Sequence, residues 1–180
     1  MSAPTETPSE KLDIPGSCHC GAIKYIAHNV DLSGVNKCNC SICMITGRLG
    51  LRMAPGNITI TSTPSGEPTV IRYANSIDTS LWPPEFTYYS PSYQLGKCEK
   101  GEEPGRHFFC KKCSIMLFII GNIKFRDIGE IASVNVLTMD LKSVGKNLKD
   151  VSKPENVKYT NGLDNSFTMS IGEPHDHGSW

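Results

Sequence analysis

The feature that most constrains this chain is the placement of its cysteines. Seven of the eight fall into three tight groups: Cys18-His19-Cys20, Cys38-Asn39-Cys40-Ser41-Ile42-Cys43 and Cys110-Lys111-Lys112-Cys113. Two thiolates on one tetrahedral zinc lie on the order of 3.8 Å apart, a separation that a C-x-x-C turn reaches easily. A C-x-C reaches it if the chain kinks, and Gly16 and Gly21 bracket the first pair and permit the kink. Disulfides within such spacings are strained, which favours metal over cystine.

The grouping divides the ligands. Cys18, Cys20, Cys110 and Cys113 make a complete four-thiolate set, closed and therefore structural, tying the start of the fold to a distant strand end. Cys38, Cys40 and Cys43 supply three ligands and leave one position of a tetrahedral ion for something else. Three thiolates and one Zn²⁺ sum to a charge of −1. That electron-rich set is a weak Lewis acid suited to a soft incoming ligand such as a thiol. Two other readings of the same residues stand beside this one. Cys98, alone in a charged stretch, could complete a second closed site and make the protein a two-zinc interaction module. A redox role for the Cys40–Cys43 pair lacks the βαβ pattern that such motifs accompany.

Composition narrows the class. The 180 residues carry 18 basic and 18 acidic side chains, a net charge of zero. That argues against a basic nucleic-acid or membrane surface. The opening residues lack the apolar run of a signal peptide, and the longest strongly apolar run, Ile115–Ile120, is far short of a bilayer span. Reduced thiols then fit a cytoplasmic chain, with the nucleus as the alternative.

The expected fold is mostly β: a single compact zinc-binding domain of short antiparallel strands. Candidate strands are Ala22–Ala27, Arg48–Ala54, Ile58–Thr63, Thr69–Tyr73, Arg106–Cys110, Ile115–Ile120 and Gly129–Leu137. Leu141, Val144, Leu148 and Val151 recur at helical spacing, but Gly145 predicts a short or broken helix. Residues 1–14 read as a disordered lead, 15–165 as the domain and 166–180 as a loose tail. Within the domain, about 75–105 stands out as a long segment carrying Trp82, aromatics and Cys98, and its length predicts a functional or ordered surface loop. The histidines are weaker signals. His19 must point away from a metal held by its neighbours, His28 reads as a surface or strand-end residue, and His107 could face the core or the open centre. His175-Asp176-His177 reads as polar tail.

The strings GSCHCGAIKY, KCNCSICMITG, HFFCKKCSIMLF and SVNVLTMD, in that order, resemble the glutathione-dependent formaldehyde-activating enzyme family, which also contains centromere-protein-V-like proteins. The resemblance runs from about Gly16 to about Leu141. It implies a β fold similar to that of a Rab-associated chaperone-like zinc protein. It also implies two zinc ions, a structural one on Cys18, Cys20, Cys110 and Cys113 and a catalytic one on Cys38, Cys40 and Cys43. The activity implied is a carbon–sulfur lyase run toward synthesis, joining glutathione and formaldehyde into S-hydroxymethylglutathione. The partner is then glutathione or another small thiol, with no nucleic acid and no membrane; the alternatives to catalysis are a centromere-protein-V-like two-zinc interaction module and glutathione binding without turnover. Two departures stand out. Ser114 follows the last cysteine where the family has Gly, and the 75–105 segment has the character of an insertion. Asn135, in SVNV, matches a family position for which the residues themselves suggest no role.

Overall fold

Alternation of buried and exposed side chains organises most of the chain into strands. The computed structural model describes residues 11–123, 129–163 and 168–176. Among the described residues twelve strands form two sheets. In chain order they are β1 (Leu12–Ser17), β2 (Lys24–Val30), β3 (Val35–Cys38), β4 (Gly50–Met53), β5 (Ile58–Ile60), β6 (Thr69–Val70), β7 (Phe86–Tyr89), β8 (Gly105–Cys110), β9 (Met116–Ile123), β10 (Gly129–Asn135), β11 (Lys158–Asn161) and β12 (Thr168–Ile171). The helices are single turns or little more: α1 (Ser41–Ile45), α2 (Pro91–Gln94) and α3 (Leu148–Val151). One sheet runs β1-β2-β5-β6 and the other β12-β11-β3-β4-β10-β9-β8-β7.

The two sheets share one core. Strand β8 buries Arg106, Phe108 and Cys110 on one face, and β10 buries Ala132 and Val134. From the smaller sheet Tyr25 is buried and meets Phe118 of the larger one edge to face, ring centroids 5.5 Å apart. Phe86 stacks on Phe108 at 4.9 Å. Such pairs add to the area they bury. Gly16 makes the Tyr25 packing possible, because a Cβ there would fall 2.2 Å from the ring.

All seven expected strands form, with ends shifted by a few residues. The structure corrects the expectation in four places. First, β1 begins at Leu12, inside the expected disordered lead, because Ile14 is fully buried. Residues 1–10 lie outside the described residues. Second, the expected loose tail contains β12, paired antiparallel with β11. Third, the pairing is not uniformly antiparallel. Strands β3 and β11 run parallel, Asn36 opposite Lys158 and Cys38 opposite Thr160. A parallel pair needs a long connection, and these strands are separated by most of the domain. Fourth, the aromatics of 75–105 belong largely to the core: Trp82 is buried and its Nε1–H donates to Asn75 O at 3.2 Å. The expected broken helix is found. A 3₁₀ turn over Leu141–Val144 ends where Gly145 takes φ 68°, and α3 follows.

Candidate metal centres

The first centre is built from two matching turns. Cys18 N donates to Ile23 O and Gly21 N to Cys18 O, while Cys110 N donates to Ile115 O and Ser114 N to Cys110 O. Each turn passes through a left-handed residue, Gly21 at φ 74° and Ser114 at φ 60°. The turns bring the sulfurs of Cys18, Cys20, Cys110 and Cys113 within 4.8 Å of one another. Cys18 and Cys20 Sγ lie 3.5 Å apart, and Cys20 and Cys110 Sγ lie 3.7 Å apart. These separations match the ~3.8 Å between thiolates sharing one tetrahedral ion.

Backbone amides turn toward the sulfurs. Ile23 N–H donates to Cys18 Sγ at 3.3 Å. Burial pushes the Cys110 thiol up to about 12. Burial also opposes ionisation of Cys113, but the N–H groups of Ile115 and Cys20, with the neighbouring thiols, bring it down to about 6. A cavity of about 720 Å³ borders this centre, lined by His19, Tyr25, Leu137 and Thr138 among others.

The second centre wraps a strand end onto a helix start. Cys38 ends β3, Cys40 caps α1 and Cys43 lies within it. Their three sulfurs also lie within 4.8 Å of one another. Cys38 and Cys43 are buried and Cys40 is half-buried. The thiols of Cys38 and Cys43 donate to Cys40 and hold it far below the ordinary thiol range, whereas the neighbouring sulfurs and burial push Cys43 up.

Asn39, between the first two ligands, is itself buried and fixes the turn. Its Oδ1 accepts from Gly162 N at 2.8 Å and Leu163 N at 2.9 Å, and its Nδ2 donates to Asn161 Oδ1 at 2.9 Å and Asp176 O at 3.2 Å. The end of β11 and the C-terminal segment are thereby strapped to the cysteine turn.

Beyond the trio lies the face of the larger sheet opposite the core. Tyr89, His107, Ile119, Ser133 and Arg52 form a row across β7, β8, β9, β10 and β4 by register. Between the two placements foreseen for His107, the structure selects this face, away from the core. Burial first, and Arg48 second, lower His107 to about 4, while Cys40 acts in the opposite direction. The imidazole is neutral at pH 7.

Arg48 is the residue that motif reading overlooks. It is buried, its Nη1 lies 3.9 Å from Cys43 Sγ and its Nη2 donates to Ser133 Oγ. In sequence it is one basic residue at the head of a candidate strand, with nothing to mark it.

The remaining candidates fall elsewhere. Cys98 joins neither cluster; its thiol sits half-exposed and is raised by burial and then by Glu103 and Glu102. His19 is exposed and outside the first cluster. His28 bonds Asp13 Oδ2 at 2.8 Å and Thr59 Oγ1 at 3.1 Å on the surface of the smaller sheet. Asn135 has an internal role: its Nδ2 donates to Met116 O at 2.9 Å and its Oδ1 accepts from Leu137 N. His175 Nε2 contacts Tyr159 O at 3.2 Å. His177 lies outside the described residues.

Fold and site together define a mostly β protein with two cysteine centres, of four and three thiols, each able to hold a metal ion. Among the described residues no helix is long and apolar enough to cross a membrane. No family model, no curated protein and no solved structure matches the chain.

Proposed function

We propose that the chain is a zinc-dependent carbon–sulfur lyase that acts on a thiol adduct, with glutathione and formaldehyde, or a related thiol and aldehyde, as the pair it joins. The fold then belongs beside that of the Rab-associated chaperone-like zinc proteins, and the protein works in the cytoplasm. One observation carries the reading. Seven cysteines divide four and three, and the eighth, Cys98, stands outside both sets.

The donor chemistry fits zinc at both places, since closely spaced thiolate sets are among the common donor sets of zinc. Cys18, Cys20, Cys110 and Cys113 would hold a structural ion. Cys38, Cys40 and Cys43 would hold the working one. An ion bound there supplies a fourth position and lowers the pKa of a thiol that occupies it.

The protein's own part is positioning. Cys38 and Cys43 are buried, Cys40 is half-buried, and Asn39 locks the turn that carries the first two. The half-buried row from Tyr89 to Ser133 is tied to them at Ser133, which shares Arg48 with Cys43, and at His107, which interacts electrostatically with Cys40, and it would bound where the rest of a tripeptide rests. The sulfur attacks the aldehyde carbon, a C–S bond forms, and the carbonyl oxygen takes up the proton that the thiol gave away. Nothing is oxidised or reduced, and the gain comes from ionisation and proximity.

The closed two-zinc module would need Cys98 as a ligand, which its place beside Glu102 and Glu103 does not favour. Native mass spectrometry with and without excess glutathione, paired with a turnover assay, tests the proposal. Two zinc ions per chain, a retained glutathione and turnover are expected. Two ions with spectra indifferent to added thiol after cobalt substitution would sink it.

A further inference from the structure

Arg48 presents a problem of charge. It is 8% exposed, and among the described residues no carboxylate comes within ion-pair distance of it. A buried guanidinium is permanently charged and is costly to keep without a counter-charge. Its one close sulfur partner is Cys43, at 3.9 Å.

The surroundings are shaped to hold it there. Ser133 Oγ accepts from Nη2 and itself donates to Leu51 O at 3.0 Å. A Cβ on Gly50 would lie 2.7 Å from Nη1, so the guanidinium uses the space that this glycine leaves open. Arg48 N donates to Cys43 O at 3.1 Å, which ties the residue to α1 by its backbone as well.

We infer that Arg48 sets the charge of the three-cysteine centre and so selects an anionic, rather than a neutral, fourth ligand. The inference rests on the proposed working ion with one position left to an outside group. Three thiolates on a divalent ion carry −1, and an incoming thiolate would bring the set to −2 in a half-buried place. With Arg48 counted, the centre begins at zero and ends at −1. The first centre, by contrast, has four cysteines of its own, and backbone amides are the donors that reach its sulfurs. Arg48 is therefore a positioning and specificity residue. It acts through Cys43 and the local field, and not by contact with the reacting carbon.

The test uses the full chain with cobalt in both centres, read by its absorption spectrum as a small thiol or imidazole is titrated in. The wild-type protein is expected to bind the thiol as thiolate. Arg48→Met should weaken thiolate binding by about tenfold or more, while imidazole, which arrives neutral, binds within a few-fold of wild type. Arg48→Lys keeps the charge and should recover most of the preference. If Arg48→Met does not fold, Ser133→Ala, which removes the hydroxyl anchor, must move the thiolate-to-imidazole ratio in the same direction. A wild-type spectrum that answers neither ligand overturns the open position, and the inference falls with it. A responsive wild type whose ratio is unchanged in Arg48→Met and Ser133→Ala overturns the role of Arg48 alone.

Discussion

Asn39 Oδ1 accepts the backbone N–H of both Gly162 and Leu163, at 2.8 and 2.9 Å, and so one side chain joins the cysteine turn to a segment more than 120 residues away. Removing that acceptor leaves the buried Gly162 N–H unpaired, at about 1–3 kcal/mol, and hands the part-buried Leu163 N–H to water for about 1 kcal/mol more. Asn39→Ala should therefore lose about 2–4 kcal/mol in urea unfolding. It should also release metal to a colorimetric chelator faster from the second centre, with release from the first unchanged. Asn39→Asp keeps an acceptor and should recover part of the stability.

The two centres should respond differently to the loss of one cysteine. Cys110 is fully buried between β8 and the turn that holds the four-thiol set. Binding of a structural ion is coupled to folding, so Cys110→Ala should unfold the chain or leave it soluble only as a partly folded species. Cys40 sits at the half-buried start of a short helix, and Cys40→Ala should abolish turnover and cost one metal ion while circular dichroism stays native. Cys98→Ala should change neither metal content nor fold. Equal damage from Cys40→Ala and Cys110→Ala would contradict the division of labour.

Much of this was legible in the sequence, and the reasons are physical. C-x-C and C-x-x-C turns constrain sulfurs locally, so the three cysteine groups are visible in the spacing, whereas the meeting of Cys18 and Cys20 with Cys110 and Cys113, and the separation of Cys98 from Cys38, Cys40 and Cys43, are set by the fold. Strand β5, Ile58-Thr59-Ile60, alternates apolar and polar residues in step with its burial, and its period is visible without coordinates. Strand β3, with the sequence VNKC, and β11, KYTN, are four residues each and mostly polar. Their pairing is decided by tertiary neighbours and not by composition. Arg48 and Asn39 were hidden for a related reason. A lone Arg and a spacer Asn gain their roles from Ser133 and Gly162, which no local pattern connects to them.

Ser114 occupies a left-handed turn at φ 60°, next to the last cysteine of the first centre. A side chain in that conformation costs about 1–2 kcal/mol, part of which a glycine gives back through its looser unfolded chain. Ser114→Gly should raise the unfolding free energy by about 0.5–1 kcal/mol and slow loss of metal from the first centre. Ser114→Val, β-branched at positive φ, should do the reverse.

Glu103 and Arg106 form a buried ion pair at 3.1 Å beneath the 75–105 segment. Arg106 also donates to Tyr73 O at 2.9 Å and Ser76 Oγ at 2.7 Å, and lies over the Tyr73 ring at 4.0 Å. Breaking such a pair leaves a charge stranded, at about 3–5 kcal/mol. Glu103→Ala and Arg106→Ala should each lose that much in urea unfolding. Replacing both together, Glu103→Leu with Arg106→Met, should cost far less than the sum. Because the pair pins the long segment and not the cysteine turn, metal content should stay at the wild-type value in the folded fraction.

His107 links stability to pH. An unfolded histidine titrates near 6.5, and burial, then Arg48, lower His107 to about 4 in the folded chain. Between those values the unfolded chain binds a proton that the folded chain refuses. This contribution is complete above about pH 6.5, shrinks as pH falls toward 4 and changes no further below that. The full gap corresponds to about 3 kcal/mol, and by pH 5.5 about 1.4 kcal/mol of it should be gone. His107→Phe removes the titrating group and keeps a ring between Tyr89 and Ile119. Unfolding free energies measured from pH 7.5 to 5.5 should fall more steeply for wild type than for His107→Phe, by about 1 kcal/mol across the range. Loss of metal with falling pH is common to both proteins and cancels in the comparison, so parallel curves would mean that the folded imidazole binds its proton as readily as the unfolded one.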